Sequence, residues 1–195
     1  MNIRPIVAVL FALLLGPALA PAGATDQAEK RLKEAVDEAI AIASRAPSHA
    51  ALAEELRPVL IRAISFEAMT RRAVGPGWRQ FTDAQRKKAT ALFTTLIIRN
   101  YCGKFTLGER PVVKYKPGVE PAPGRVEVPT TILYKGSHYA VNYRLEASEG
   151  WRITDVQVEG VSLIANYRAQ FDALFKKGGA EAVLNSLSQA VASSK

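Results

Sequence analysis

The chain has little of the side-chain chemistry from which catalytic and metal sites are built. Its 195 residues include one cysteine, Cys102, and two histidines, His49 and His138. A single cysteine excludes a disulfide within the chain, and two histidines exclude a three-histidine zinc site. The sequence also lacks a Gly-x-Ser-x-Gly nucleophile elbow, a phosphate-binding loop and a dinucleotide-binding fingerprint. We therefore expect a binding protein with no cofactor and no metal, rather than an enzyme.

Long apolar runs are also missing, except near the N-terminus. Arg4 precedes an unbroken apolar run over residues 6–15, and small residues follow it, which is typical of a secretory signal peptide. The run is too short to span a bilayer stably. We favour cleavage after the small-x-small site at residues 22–24, because a cut at an earlier site would leave a proline directly after it. We predict a signal peptide over residues 1–24 and one domain over residues 25–195; an uncleaved anchor is the alternative.

Positive charge is concentrated in one region of the chain. The formal net charge is +8, and residues 71–116 contain 11 Lys or Arg against only Asp83 and Glu109. Such a surface suits anionic lipid head groups, an acidic partner protein or nucleic acid. Because export argues against nucleic acid, we expect no nucleic-acid partner.

The first half of the mature chain has the three- and four-residue periodicity of amphipathic helices. We predict helices over residues 26–45, from Ser48 to an interruption at Pro58, over residues 66–74, and from the capping box of Thr82 and Gln85 onward. The last of these has an apolar face of more than four turns, which must bury against something large. Cys102 falls among its apolar residues and is expected to be a packed side chain rather than a reactive thiol.

The periodicity changes to two after Leu107, as is typical of strands. We predict strands over residues 112–116, 125–134, 138–147 and 151–159, joined as an antiparallel meander because two of the links are short. The apolar phase changes across Thr154 and Asp155, which predicts a β-bulge. A helix capped by Ser162 follows, stops at Gly178-Gly179, and gives way to a last helix over residues 180–191. The predicted fold is α+β: N-terminal helices, a curved four-stranded antiparallel sheet, and C-terminal helices packed on one face.

Two blocks of the sequence resemble a known family. The first block contains ISFEAM at residues 64–69, VGPGWR at 74–79 and TDAQR at 82–86; the second is WRITDVQVEGVSLIANYRAQF at residues 151–171. In this order they resemble the MlaC/toluene-tolerance family of periplasmic phospholipid carriers. The resemblance implies a nuclear-transport-factor-2-like or cystatin-like cone with an apolar cavity. It also implies a periplasmic protein that shuttles phospholipid between an outer-membrane lipoprotein complex and an inner-membrane ABC transporter with a substrate-binding ring subunit, and so maintains outer-membrane lipid asymmetry.

A lipid carrier must bury acyl chains almost completely. Two chains of roughly fifteen methylenes each would cost on the order of 24 kcal/mol if left in water, at about 0.8 kcal/mol per methylene. By the resemblance, we expect the helices that start at Thr82 and Ser162 to cover the curved sheet. The cavity is expected to be lined by Phe93, Leu96, Ile97, Tyr101, Phe105, Val128, Ile132, Tyr139, Val141, Tyr143, Trp151, Ile153, Val156, Val158, Leu163, Tyr167 and Phe171. Arg144 and Arg152 are candidates for contact with the head-group phosphate.

Other functions stay open at this point. For any single aromatic residue, a place in a solid core is the simpler alternative. The ligand could be a hopanoid or sterol-like lipid, which needs a wider and shorter cavity. An enzyme on the same fold would need a carboxylate or histidine in the cavity. Asp155 is the nearest candidate, and either Asp155 or Glu159 could form an acid/base pair with His138 across adjacent strands. A partner-binding module with a solid core would use the basic region as its interface.

Overall fold

The computed structural model describes residues 23–103, 106–148 and 150–193. The helices are α1 (Ala24–Ala43), α2 (His49–Ala63), α3 (Phe66–Val74), α4 (Asp83–Cys102) and α5 (Leu163–Ser193), and a 3₁₀ helix (Gly75–Gln80) joins α3 to α4. The backbone of α5 leaves the helical conformation at Gly178 and Gly179, which confirms the predicted break between two helical segments. The strands are β1 (Val112–Tyr115), β2 (Val119–Ala122), β3 (Arg125–Tyr134), β4 (Ser137–Glu146), β5 (Arg152–Val158) and β6 (Val161–Ser162). The predicted α+β class is confirmed. Within these ranges no helix is both long and apolar enough to cross a bilayer, and the predicted signal peptide lies almost entirely outside them.

The antiparallel sheet has six strands, so the prediction of four is wrong. Its order is β1-β3-β4-β5-β6, and β2 also pairs with β3. β1 and β2 lie along the same edge of β3, where Val112 faces Leu133 and Val119 faces Glu127. Proline and glycine interrupt this edge between the two strands, which is why the sequence pattern showed only one of them. β6 has only two residues and is too short for a periodic pattern.

The predicted bulge in β5 is confirmed. Arg144 of β4 faces Asp155 and the next residue, Leu145, faces Ile153, so Thr154 is the extra residue on β5. A bulge increases the local bend and twist of a sheet. The bulge also shifts the alternation of side chains between the two faces of the sheet. Ile153 and Val156 therefore both point to the concave face, while Asp155 points to the opposite face.

Of two predictions about the helices, one is wrong and one is confirmed. α2 continues through Pro58 to Ala63, so the predicted interruption is wrong. Pro58 and Glu54 are both exposed, and the carbonyl that loses its helical donor therefore faces water. The capping box of α4 is confirmed, because Gln85 N donates to Thr82 Oγ1 at 3.2 Å and Thr82 N donates to Gln85 Oε1 at 2.9 Å.

The buried side chains form two separate cores. A helical core joins α2, α3, α4 and α5, with the C-terminal end of α1 at its margin. A smaller sheet core joins the N-terminal half of α1 to the concave face of the sheet, through Ala28, Leu32, Val126, Val128, Leu145, Trp151 and Ile153. Cys102 packs in the helical core, and burial raises the pKa of its thiol to about 11. The thiol is therefore neutral at physiological pH, as expected for a packed side chain.

A buried carboxylate attaches α5 to the sheet. Asp155 Oδ2 accepts a hydrogen bond from the Ser162 hydroxyl at 2.7 Å, and Asp155 Oδ1 accepts one from Ile164 N at 3.2 Å. Ser162 Oγ accepts from Ala165 N at 3.0 Å, which confirms the predicted cap. Asp155 also lies 3.4 Å from Arg144 Nη1. These contacts satisfy two amide donors at the start of the helix, and the one from Ile164 would otherwise be buried without a partner.

The 3₁₀ helix approaches α5 so closely that only glycine fits. A Cβ atom placed on Gly77 would lie 2.8 Å from the ring of Phe175. Phe175 stacks on Phe81 with a centroid distance of 6.1 Å, and Phe81 stacks on Trp78 at 5.5 Å. Because these residues come from the α3–α4 connection and from α5, the contact fixes that connection against α5.

Replacing Asp155 by Ala should lower the free energy of unfolding by about 2–3 kcal/mol, because a buried acceptor of several hydrogen bonds is lost. Urea denaturation followed by circular dichroism measures this change. Asp172→Ala is the control: it removes an exposed carboxylate of α5 that pairs with Lys176 and should cost less than about 0.5 kcal/mol. Equal effects of the two substitutions would contradict the proposed attachment.

Gly77→Ala should lower the free energy of unfolding by about 1–3 kcal/mol, because the new methyl group overlaps the Phe175 ring. The matched control is Gly103→Ala at the end of α4, where φ is −65° and the nearest atom to a new Cβ is Arg99 O at 3.4 Å. We expect the control to leave stability unchanged or to raise it by up to about 1 kcal/mol. Urea denaturation followed by circular dichroism measures both changes. A Gly77→Ala variant with unchanged free energy of unfolding would refute the close approach.

Candidate functional site

An apolar cavity lies between α1, α2 and the concave face of the sheet. Its main chamber has a volume of about 330 Å³. The walls are Ala35, Val36, Ala39, Ile40, Ala43, Leu56, Leu60, Ala63, Ile64, Pro111, Val113, Ile132, Tyr134, Tyr139, Val141, Tyr143, Ile153, Val156 and Val158. The only side-chain polar atoms on this wall are the hydroxyls of three tyrosines. A chamber of this composition offers a ligand an environment close to that of hydrocarbon.

A second chamber of about 260 Å³ adjoins the first. It lies between the helical core and the β5–β6 edge and is lined by Leu60, Ile64, Met69, Ile97, Tyr101, Val156, Val158, Val161, Ser162, Leu163 and Asn166. Leu60, Ile64, Val156 and Val158 belong to both chambers. Four side chains therefore form a wall that the two chambers share.

The chambers exist because the two cores do not merge. Ile64, at the end of α2, forms a bridge to Ile153 of β5, and Ser65 N donates to Ile153 O at 2.9 Å. This contact brings the helical core against one edge of the sheet. On the far side, α1 crosses the sheet with small side chains, Ala35 and Ala39, facing the chamber. Small residues on the helix opposite a bent sheet leave unfilled space between them.

Apolar side chains are exposed around one end of both chambers. Tyr139 is 39% exposed and Val158 38%, and both line the main chamber. Tyr101 is 39% exposed and Val161 64%, and both line the second chamber. These four residues define the rim. Exposed apolar groups that continue into a cavity are typical of an opening through which an apolar ligand or partner enters.

Burial keeps the phenols of Tyr143, Tyr101 and Tyr115 neutral. Burial raises the pKa of Tyr143 to about 12. Burial also raises the pKa of Tyr101, with a smaller contribution from Tyr167. The pKa of Tyr115, at the inner end of the same sheet face, is raised by burial first and then by Asp37 and Tyr143. None of these phenols ionises at physiological pH, so they add no charge to the apolar space.

The structure brings ten of the predicted cavity residues to the two chambers. Ile132, Tyr139, Val141, Tyr143, Ile153, Val156 and Val158 line the main chamber, and Ile97, Tyr101 and Leu163 line the second, which Val156 and Val158 also border. The contributions from α1 and α2 were missed. A signal for them was present in the sequence, because Ala35, Ala39 and Ala43 form a small-residue edge beside the bulkier apolar stripe of the first helix.

The remaining predicted cavity residues lie elsewhere. Phe93, Leu96, Tyr167 and Phe171 pack in the helical core; the Phe93 ring meets the Tyr167 ring edge-on at 4.9 Å and the Phe171 ring at 5.9 Å. Val128 and Trp151 belong to the sheet core, and Phe105 lies outside the described residues. α1 and α2 cover the main chamber, whereas α4 and α5 were expected to do so. α4 and α5 instead bury their aromatic faces against each other.

Arg144 and Arg152 lie on the outer face of the sheet. Arg144 Nε is 2.9 Å from Glu127 Oε1 and Arg144 Nη1 is 3.4 Å from Asp155 Oδ2. Arg152 faces Glu146 across the β4–β5 pair. The two-residue alternation of β4 turns Arg144 away from the chamber that Tyr143 lines. Neither arginine borders the apolar chambers; Arg144 instead borders a polar groove of about 590 Å³ with Arg72, Arg125 and Arg168.

The potential acid/base pair of His138 with Asp155 is not assembled, and the Glu159 carboxylate instead accepts a hydrogen bond from Ala140 N at 2.6 Å. His138 faces Leu133 at the beginning of β4, whereas Asp155 faces Arg144, six residues further along the same strand. At about 3.3 Å per residue this separation is roughly 20 Å. The Asp155 carboxylate is occupied by the α5 attachment and borders neither chamber. Its position in the sequence motif is explained by this structural role.

Comparison with known proteins identifies the family. A solved structure of a phospholipid-binding protein from Ralstonia solanacearum, in complex with a phospholipid, superimposes with a TM-score of 0.79 at 28% sequence identity, covering 85% of this chain and 97% of that one. A comparison with curated proteins found no match. The family model described as MlaC protein matches residues 32–189, which is most of the chain and contains both sequence blocks. This protein therefore belongs to the MlaC family.

Proposed function

We propose that this protein binds a phospholipid, with one acyl chain in each of the two connected apolar chambers. The observation that carries the proposal is the branched space itself: two apolar chambers of about 330 and 260 Å³ that share one wall and one exposed rim. Together they fall within the roughly 300–1,000 Å³ of ordinary ligand pockets. Membership in the MlaC family and the phospholipid bound to the similar solved structure support the same ligand class.

The shape of the chambers favours two flexible chains. A fused-ring lipid such as a hopanoid needs one wide space, whereas Leu60, Ile64, Val156 and Val158 divide the space here into two narrower branches. Two chains that leave one glycerol backbone near the rim would each enter one branch. Burial there removes their methylenes from water, at about 0.8 kcal/mol each.

The head group is proposed to stay in water at the rim. Asn166 borders the second chamber beside Tyr101 and offers an amide group there. The contact first expected for Arg144 and Arg152 would require the head group to reach the outer face of the sheet. We therefore assign head-group contact to the rim instead, where only polar neutral side chains are needed.

The protein is proposed to act as a carrier rather than an enzyme. By family membership it would work in the periplasm after removal of residues 1–24, and exchange lipid with an outer-membrane lipoprotein complex and an inner-membrane ABC transporter. The exposed apolar rim supports such an exchange, because a partner docked on it would let acyl chains pass without crossing water. The energy for directional transfer would come from the transporter, since the chain has no nucleotide-binding loop.

Ala39→Trp should reduce the phospholipid bound per protein at least about tenfold. The indole ring would fill the main chamber from the α1 side, and each methylene it displaces weakens binding by about fourfold. The measurement is native mass spectrometry of protein exported from cells and purified without detergent, followed by organic extraction and lipid analysis.

Ala41→Trp is the matched control, because Ala41 lies two residues away on α1 but is exposed. It should retain the phospholipid content of the parent protein. Circular dichroism establishes that both variants are folded. A parent protein without any lipid, which also fails to bind added phospholipid, would refute the proposed function; full retention by Ala39→Trp would refute the location of the chains.

A further inference from the structure

A third, smaller chamber continues the main chamber inward. Its volume is about 100 Å³, and it lies between α1, α2 and the inner end of the sheet. Leu32, Val59, Leu145 and Trp151 form the apolar part of its wall. No described residue fills the chamber. This part of the wall suits methylene or methyl groups rather than polar ones.

The inner chamber and the main chamber meet at three side chains, termed the neck. Ala35, Ala63 and Ile153 border both chambers. Ala35 comes from α1 and Ala63 from α2, so two facing helices each contribute a methyl group at this point. A larger side chain at either alanine would project into the neck. Because both positions are alanine, little side-chain volume separates the two chambers here.

The far end of the inner chamber is polar. Arg62 Nη2 lies 2.9 Å from Glu38 Oε1, and Arg31 Nη1 lies 3.3 Å from Glu34 Oε2. All four side chains border the chamber and are about half exposed. An acyl chain that reached beyond them would place methylenes among charged groups and water. The inner chamber thus has an apolar entrance and a polar end.

The length of the main chamber matches that of one ordinary acyl chain. Val158 at the rim and Ile153 at the neck lie five residues apart on β5. At roughly 3.3 Å per residue, and with one residue in the bulge, the distance is at most about 16 Å. One leaflet of a bilayer, half of the roughly 30 Å hydrocarbon core, is about 15 Å thick. A chain of ordinary length ends near the neck, and a longer chain must pass through it.

We propose that the two chambers connect at Ala35, Ala63 and Ile153, and that this neck determines the maximum acyl-chain length that the protein accepts, with the inner chamber holding the ends of long chains. This inference rests on the proposed function. A chain arriving from a bilayer is already in an apolar environment, so a chain that fits completely is neither favoured nor rejected. Each methylene that cannot be accommodated disfavours the lipid by about fourfold.

The test closes the neck and compares two lipids. The parent protein, Ala63→Leu and Ala35→Leu are equilibrated with mixed vesicles that contain equal amounts of dimyristoyl and distearoyl phosphatidylglycerol, and the bound ratio is read by native mass spectrometry. The parent should take up both lipids to a similar extent. Each variant should keep dimyristoyl binding and reject distearoyl phosphatidylglycerol at least about tenfold, since several methylenes lose their place.

Ala50→Leu, on an exposed position of α2, is the matched control and should behave like the parent. The inference is overturned if both neck variants keep the parent ratio, if Ala50→Leu shifts the ratio as much, or if the parent itself strongly rejects the long-chain lipid. If the short-chain lipid still binds in any of these cases, the proposed phospholipid binding is not contradicted. If the parent binds neither lipid, both the proposed function and the inference about the neck are overturned.

Discussion

Thr154 is the extra residue in β5, and both the cavity wall and the attachment of α5 depend on it. Without it, strict alternation along β5 would send Ile153 and Val156 to opposite faces of the sheet. With it, both side chains border the cavity while Asp155, between them, points outward and holds the start of α5. One strand therefore supplies the cavity wall and the attachment of the C-terminal helix. The bend that a bulge introduces also gives the sheet its concave face.

The cavity is the region that the two cores leave unfilled. α1 is held at its N-terminal end by Ala28 and Leu32 in the sheet core and at its C-terminal end by Ile42 and Ala43 in the helical core. Glu29 Oε1 also accepts a hydrogen bond from Gly118 N at 2.6 Å, which ties the helix to the edge of the sheet. The middle of α1 is thus spanned between two anchors with alanines facing inward. A stable fold and an unfilled apolar space coexist because different residues of the same helix serve each.

Much of the architecture could be predicted from the sequence because it depends on local signals. The capping box at Thr82, the cap at Ser162 and the phase change at Thr154 each leave a pattern within a few residues, and each is confirmed. The missed strands lacked such patterns: β2 lies in a proline-rich segment, and β6 is two residues long. The error at Pro58 was the opposite one. Proline is a strong local signal for the end of a helix, but α2 continues through it because the carbonyl group that loses its hydrogen-bond donor remains in water.

The cavity was harder to predict because lining a space and filling a core require the same residue types. Phe93 and Phe171 have the periodicity of a buried face, but only their packing against each other shows that they are core residues. The strand residues Val156 and Tyr143 were predicted correctly by face, since alternation determines the side of the sheet. The contributions of Ala35 and Ala63 depend on what is absent beside them, and a sequence pattern does not record empty space.

The most direct test of the central claim is to locate the acyl chains. A phospholipid with a photoreactive diazirine in one acyl chain is loaded into the protein, irradiated, and the labelled residues are identified by proteolysis and mass spectrometry. The account predicts labels on the chamber-facing residues of α1, α2, β4 and β5. Labels confined to the outer face of the sheet, or labels on the Phe93 and Phe171 side chains of the helical core, would contradict it.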